Sequence, residues 1–425
     1  MPYMEEMRQG NEVENISARQ KTLLLCGNGK SGEAIPLIKV WGYRVCLISE
    51  FPNDNCIDDV DQYVYANSMD PEAALIAAKK LVSEGWEFDG VISLCWDCPI
   101  SVAIIAKELG LPSIPVTIAE VATFKDKRIK TLRDAGIPVP ESITVPLEQS
   151  TKFDLPFSYP VVSKPVDLSG SVGVFLARGH DELLEAFSKT AQYLVLSKMK
   201  SIQIEQYIDG TEYSVEGLVL NGLLHITGTS ERVFIKNYLP VFVERGDIIP
   251  ANLTKKQITD IKCICQDSID ALGIDSGAAK FDIKIDSNGK IFVFEVTPRL
   301  GGPRFGTEMI PLANGTSILR ALISQACGLP VDITWLQPNK NQTVVAFNIF
   351  APKNGRIVSL KGLEIARSIT GVYDFKWSRP SGFFEGDIVK DGQELGYYII
   401  YANSRSSALD KARRFEDLFE IEVGQ

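Results

Sequence analysis

The stretch KFDIKIDSNGKIFVFEVTPRLGG, residues 280–302, sets two carboxylates where they can share one ligand. Asn288-Gly289 lies between two alternating apolar runs, a strong signal for a β-hairpin. A two-residue loop there pairs Asp282 with Glu295 and Lys280 with Thr297. Alternation then puts Phe281, Ile283, Ile285, Phe292, Phe294 and Val296 on one face. Lys280, Asp282, Lys284 and Asp286 share the other with Ile291, Val293, Glu295 and Thr297. A four-residue loop keeps the faces but slides the acids one diagonal apart. A three-residue loop mixes the faces and is rejected. Directly opposed side chains have Cβ atoms about 4.5–5.5 Å apart, and like charges there destabilise a sheet. Two remedies fit. One is a divalent cation shared with phosphate oxygens, for which Mg²⁺ is suited. The other is a solvated face on which Lys280 and Lys284 neutralise the acids.

Three further stretches carry chemistry. KPVDLSGSVGV, residues 164–174, runs from strand to strand, whereas a P-loop opens a helix and ends in GK[ST]. Its Gly170 and Gly173 let backbone N–H groups approach phosphate oxygens, and Ser169 and Ser171 add hydroxyls. Lys164 supplies a point charge. An ordinary hairpin loop is the alternative. IEQYIDGTEYSVEG, residues 204–217, offers an extended backbone with one donor and one acceptor, as an adenine edge requires. A plain strand with a turn at Asp209-Gly210 reads the same way. FKDKRIKTLRDAGIPVP, residues 124–140, is a basic helix ended by Gly136 and Pro138.

The order and spacing of these four segments, over about 125–302, resemble the ATP-grasp superfamily. Within it the chain is similar to carboxylate–amine ligases such as L-amino-acid ligases, and to the biotin carboxylase and carbamoyl-phosphate synthetase branch. The resemblance implies roles for named residues. Glu295-Val296-Thr297-Pro298-Arg299 matches an acid-x-Asn-x-Arg segment, with Asp282 and Glu295 on magnesium and Arg299 on phosphate. Thr297 replaces the asparagine as a further metal ligand. Lys127 and Lys164 hold the phosphates beneath a flap of Ser169, Gly170, Ser171 and Gly173. Glu205, Gln206, Tyr207 and Ile208 take the adenine, and Glu212 the ribose. Arg304 is the candidate for the substrate carboxylate, ahead of Arg232 and Lys236. The implied cofactors are ATP and Mg²⁺, with Mn²⁺ as a substitute.

The reaction so implied starts with a carboxylate attacking the γ-phosphate of ATP, giving an acyl phosphate and ADP. An amine then attacks the acyl carbon and phosphate leaves. Positioning and charge neutralisation carry such chemistry, and a closing flap excludes water. The partners expected are small-molecule carboxylate and amine substrates, an amino acid among them, and a second copy in a homodimer. Two alternatives stay open, a bicarbonate-activating carboxylase and a nucleotide-binding module without turnover.

Other motifs compete. Gly27-Asn28-Gly29-Lys30-Ser31-Gly32 fits G-x-G-x-x-G after a strand, with Glu50 near the end of the next strand. That fingerprint points to an NAD-dependent dehydrogenase. The downstream half offers no pair suited to hydride transfer, with His180 and His225 as the chain's histidines. Cys95-Trp96-Asp97-Cys98 is a C-x-x-C at a strand-to-helix turn, where a helix N-terminus could lower a thiol pKa. Its surroundings do not read as a thioredoxin fold, so the cysteines read as incidental. His225 reads as a strand residue that packs or bonds locally, with a substrate role as the alternative. No zinc set is present.

These residues need a scaffold. A chain of 425 residues suggests two to four domains. Hydrophobic residues make up 45% of it, enough for real cores. A net charge of −10 gives no basic face for nucleic acid. No run of about 18 apolar residues occurs, so no membrane span is expected. The polar, acidic N-terminus has no apolar stretch of signal-peptide type. The eight cysteines follow no disulfide framework and read as reduced thiols of a cytoplasmic protein. Strands alternate with helices over about 21–120, which implies a parallel sheet. The expected class is α/β, a Rossmann-like N-terminal domain followed by an ATP-grasp fold of two α+β lobes with ATP between them. The expected divisions are a flexible tail over 1–20, an N-terminal α/β domain over 21–122 and an ATP-grasp domain over 123–340. A small flap lobe occupies about 155–208, and 341–425 forms a C-terminal α+β part of the large lobe. A helix over 123–135 is expected to open the ATP-grasp region.

Overall fold

The computed structural model describes residues 19–27, 34–51, 57–149, 154–302, 304–378, 386–389 and 392–424. Residues 1–18 of the expected tail lie outside the described residues. Arg19 pairs with Asp89 at 3.1 Å, and Gln20 donates to the Gly42 carbonyl at 2.9 Å.

The first sheet is parallel. It holds β1 (Thr22–Cys26), β2 (Arg44–Ser49), β3 (Gln62–Tyr65) and β4 (Gly90–Ile92) in the order β3-β2-β1-β4. TLLLC and GVI are buried throughout, the pattern of strands covered on both faces. Helix Pro71–Ser83 starts where Asp70 accepts the Glu72 N–H at 3.1 Å and Pro71 takes the first position.

A second sheet is antiparallel, with β5 (Ser142–Pro146), β6 (Val161–Pro165), β7 (Phe175–Ala177) and β8 (Ser201–Gln206) in the order β5-β8-β6-β7. Helix His180–Tyr193 covers it with Leu183, Ala186 and Phe187.

The largest sheet contains β9 (Gly210–Leu220), β10 (Leu223–Ile235), β11 (Val243–Ile249), β12 (Ser276–Asp286), β13 (Ile291–Thr297) and β14 (Thr343–Phe350). Its order is β13-β12-β9-β10-β11-β14, continued by Glu394–Ala402 and Val372–Trp377. One face of β9, β12 and β13 packs Val215, Val219, Phe281, Ile283 and Val296 against Ile261, Cys265 and Ile269 of helix Lys255–Leu272. Each such fully buried apolar side chain contributes about 1.5–3 kcal/mol. A capping box of Thr254 and Gln257 opens that helix. The other face is divided. Leu218 and Ala278 join a core that includes β1, β2 and helix Ile318–Ala326. Farther along the same strands, that face carries Glu212, Ser214, Asp282 and Lys284. This polar half is the floor of the candidate site. Among the described residues, no helix is long and apolar enough to cross a membrane.

Two local expectations change. The hairpin pairs Lys280 with Thr297 and Asp282 with Glu295 as expected, but Ile283 then pairs with Val293. The turn is a three-residue loop, closed by the Asp286 N–H on the Lys290 carbonyl at 3.0 Å. The Asp286 carboxylate accepts the N–H groups of Asn288 and Lys290 at 2.9 and 2.8 Å, and Gly289 takes φ 81°. This side-chain clamp outcompetes the two-residue Asn-Gly turn. A bulge at Phe294 restores the register at the acids. Ile291 and Val293 are therefore the buried residues, in place of Phe292 and Phe294.

The expected helix over 123–135 is the second of two, Val116–Thr123 and Lys125–Asp134, broken at an extended Phe124. The buried Arg128 donates to the Ala122 carbonyl at 2.6 Å and so caps the end of the first helix.

Candidate active site

The floor is laid out by register. Across β9, β12 and β13 one row reads Glu216, Lys280, Thr297, and the next reads Ser214, Asp282, Glu295. Glu212 and Lys284 face each other in a third. Asp282 is buried. One oxygen accepts from Ser214 Oγ at 2.8 Å, and the other takes the Lys280 ammonium. Arg232, from β10, reaches Glu212 and Glu244 and stands 3.5 Å from Asp282. Burial alone would raise the Asp282 pKa, but Lys280 and Arg232 outweigh it and hold the carboxyl well below its usual range. Glu295 is more open, with Arg128 and Lys280 at 3.8 and 3.9 Å.

The second sheet hangs over this floor. Together they enclose a cavity of about 160 Å³. Asp282, Glu295, Lys164, Ser169, Gly170, Ser171, Glu205, Gln206, Tyr207, Ile208 and Glu212 all line it. Lys164 pairs with Glu205 at 2.6 Å. Gly170 and Ser171 take φ of 66° and 58° at the loop's tip, while Gly173 (φ 73°) turns back against Pro165 and Tyr193. The Gln206 and Tyr207 N–H groups donate to the Glu141 and Pro160 carbonyls at 2.8 and 2.9 Å, so these two donors serve the fold. Lys284 donates to the Ile208 carbonyl at 3.4 Å and lies over the rings of Tyr207 and Phe294.

Five expected residues, Lys127, Gly173, Thr297, Arg299 and Arg304, do not line this cavity. Lys127 is exposed, 3.8 Å from Glu120 and over the Phe124 ring. Lys125 lines the cavity instead. Its ammonium donates to the Val166 and Leu168 carbonyls beneath the flap. Burial pushes its pKa down to about 8, although Glu295 pulls the other way. Arg304 is buried with its charge already spent on Glu308 and Asp374, and it donates to Tyr397 at 2.8 Å. Of the two residues behind it, Arg232 is part of the floor and Lys236 is exposed.

Arg299 and Thr297 flank the floor. Thr297 faces the Lys280 carbonyl at 3.5 Å. Arg299 Nε donates to Asp97 at 2.7 Å, and Nη1 to the Leu300 carbonyl at 2.9 Å. Burial would raise the Asp97 pKa, yet Arg299 and the Ser169 hydroxyl bring it down to about 2. Asp97 thus ties the first sheet to both the arginine and the flap. Glu216, fully buried, accepts the Gly301 N–H at 2.9 Å, and burial pushes its pKa up to about 7 against that bond. A Cβ on Gly301 or Gly306 would stand 2.8 or 2.7 Å from its oxygens, so a side chain at either position would have to displace the carboxylate. Lys125, Arg128, Asp97 and Glu216 escaped sequence reasoning. Glu216 had a signal, since it continues the alternation of Glu212 and Ser214.

The competing motifs fare as follows. Residues 28–32 of the glycine fingerprint lie outside the described residues. Glu50 accepts from Ser68 and from Trp96 Nε1, at 2.8 and 3.2 Å, so its carboxylate is engaged within the first sheet. Burial pushes the Cys98 thiol up to about 12, the reverse of an activated thiolate. His225 pairs opposite Leu218 in the β9–β10 ladder, away from the cavity lining.

Among the described residues, no group of three or more His, Cys, Asp or Glu could hold a metal alone. The two opposed acids instead offer hard oxygen ligands to an ion whose remaining ligands come from elsewhere.

Comparison with known proteins fits this geometry. Residues 157–307 match the family model described as an ATP-grasp domain. An uncharacterized protein of Sinorhizobium fredii is 28% identical over 347 residues, spanning 79% of this chain and 68% of that protein. Carnosine synthase 1 of Mus musculus is 25% identical over 352 residues, spanning 77% of this chain but 42% of the synthase. Among solved structures, an L-amino acid ligase from Bacillus licheniformis superposes with a TM-score of 0.82 at 23% identity. That match covers 96% of this chain and 100% of the ligase. Phosphoribosylglycinamide synthetase from Anaerococcus prevotii gives 0.73 at 19% identity, over 96% of this chain and 100% of that one. At these identities the structural likeness is one of fold.

Proposed function

This chain carries an ATP-grasp domain, and from that premise we propose that it is an ATP-dependent ligase joining a carboxylate, an amino acid by preference, to an amine. ATP-grasp enzymes use ATP with Mg²⁺. The opposed pair Asp282–Glu295, beneath a glycine-rich loop and two lysines, carries the reading. When bound, Mg²⁺ would supply positive charge to the phosphate oxygens beside the Asp282–Glu295 pair, with Glu295 the more open of the two acids. Lys125 and Lys164 draw in the phosphates as point charges. Tyr207 and Phe294 line the base end, and the loop at Ser169–Ser171 keeps water from the activated acid. Arg299, steadied by Asp97, faces the transferred phosphoryl group. The acid's oxygen bonds to the γ-phosphorus as ADP departs. The amine nitrogen then bonds to the acyl carbon, phosphate leaves, and the amine gives up a proton. Likeness to carnosine synthase 1 and to an L-amino acid ligase supports the choice of amino-acid substrates.

The test is an ADP-release screen of amino-acid pairs with ATP and Mg²⁺, followed by mass detection of the product. ADP formed with a coupled product is expected. ADP release stimulated by bicarbonate and not by any amine would replace this reading with bicarbonate activation. Glu295→Gln should lower turnover by roughly a hundredfold or more while leaving the melting temperature in place. Full activity in that variant would refute the assignment.

A further inference from the structure

Lys280 occupies the middle of the acid pair. Its ammonium is bonded to Asp282 and stands 3.9 Å from Glu295, and its side chain is 12% exposed. Asp282 is also met from other sides, by Ser214 Oγ at 2.8 Å and Arg232 at 3.5 Å. Opposite Lys280 in the ladder, the Thr297 hydroxyl is turned to the Lys280 carbonyl and is almost fully buried. The two carboxylates therefore differ. Asp282 has a tethered cation and a donor on each oxygen. Glu295 is 26% exposed and has no cation nearer than 3.8 Å among the ion pairs of the described residues.

We propose, building on the ATP-dependent reading above, that Lys280 is a built-in counter-ion that limits the site to a single divalent ion per nucleotide. Glu295 is then the protein's ligand to the ion that arrives with the phosphates, and Asp282 stays with the lysine. A second divalent ion at Asp282 would have to displace an ammonium that is covalently tethered and already out of water. It would also meet the repulsion of Arg232 at close range. Mg²⁺ is served by one or two carboxylates when phosphates and water complete its shell, so a single protein carboxylate suffices.

The experiment counts ions directly. The full chain is saturated with a non-hydrolysable ATP analogue and titrated with Mn²⁺, and free Mn²⁺ is followed by electron paramagnetic resonance. Wild type and Lys280→Arg should each retain a single ion per chain, and Lys280→Gln should retain a second. Two ions in wild type, or still a single ion in a folded Lys280→Gln, would overturn the proposal. If Lys280→Gln does not fold, the comparison rests on wild type and Lys280→Arg, where a second ion in either is fatal. Analogue binding with two ions sinks the counter-ion alone, whereas no nucleotide-dependent ion at all sinks the ATP-dependent reading with it.

Discussion

Lys125 and Lys127 lie on one helix but two positions apart, about 200° around its axis, so they cannot serve the same ligand. Lys125 lines the cavity, and Lys127 sits in solvent beside Glu120. Replacing Lys125 by Met should weaken nucleotide binding by about tenfold or more, and Lys127→Ala should change it less than twofold, as read by calorimetry. The pH dependence has a definite sign. Phosphates favour the protonated lysine, and its protonated fraction falls as pH rises through about 8. Affinity should therefore decline by up to about tenfold per pH unit above that value, and the decline should be flattened in Lys125→Met. An unchanged slope in the variant would show that another group titrates.

The hairpin shows what a short element fixes and what it leaves to its side chains. Asp286 closes the turn through two bonds to backbone N–H groups, and Gly289 supplies a positive φ. Asp286→Ala and Gly289→Ala should each cost about 1 kcal/mol in urea unfolding, with the larger effect on the mobility of β13. The pairing of Asp282 with Glu295 comes out as read because the bulge at Phe294 cancels the extra loop residue. The loop length was not legible. Ile291, Phe292, Val293 and Phe294 are apolar on both faces, so the pattern cannot tell which pair is inside. Likewise the glycine-rich loop, Lys164 and Glu205 could be read locally. Asp97 could not, because its partner Arg299 is 202 positions away and the contact exists only in the fold.

At the scale of the molecule, that contact joins the first sheet to the arginine beyond β13. Because the pair is largely shielded, with side chains 11% and 17% exposed, removing one charge strands the other, at a cost of up to about 3 kcal/mol. Asp97→Asn should keep the shape but loosen Arg299. Turnover should fall by roughly ten- to a hundredfold with nucleotide affinity unchanged, and the combination with Arg299→Gln should cost little more than Arg299→Gln alone. Additive losses would mean that Asp97 acts elsewhere. Glu216 works the same loop from below, its carboxylate filling the space left by Gly301 and Gly306. The reach of Asp97 also bears on how such proteins can be recombined. A chimera that borrows its front section from a relative would keep a working arginine only if the donor brings an acid to the same turn, so the portability of that section hinges on one side chain and not on how well the seam is packed.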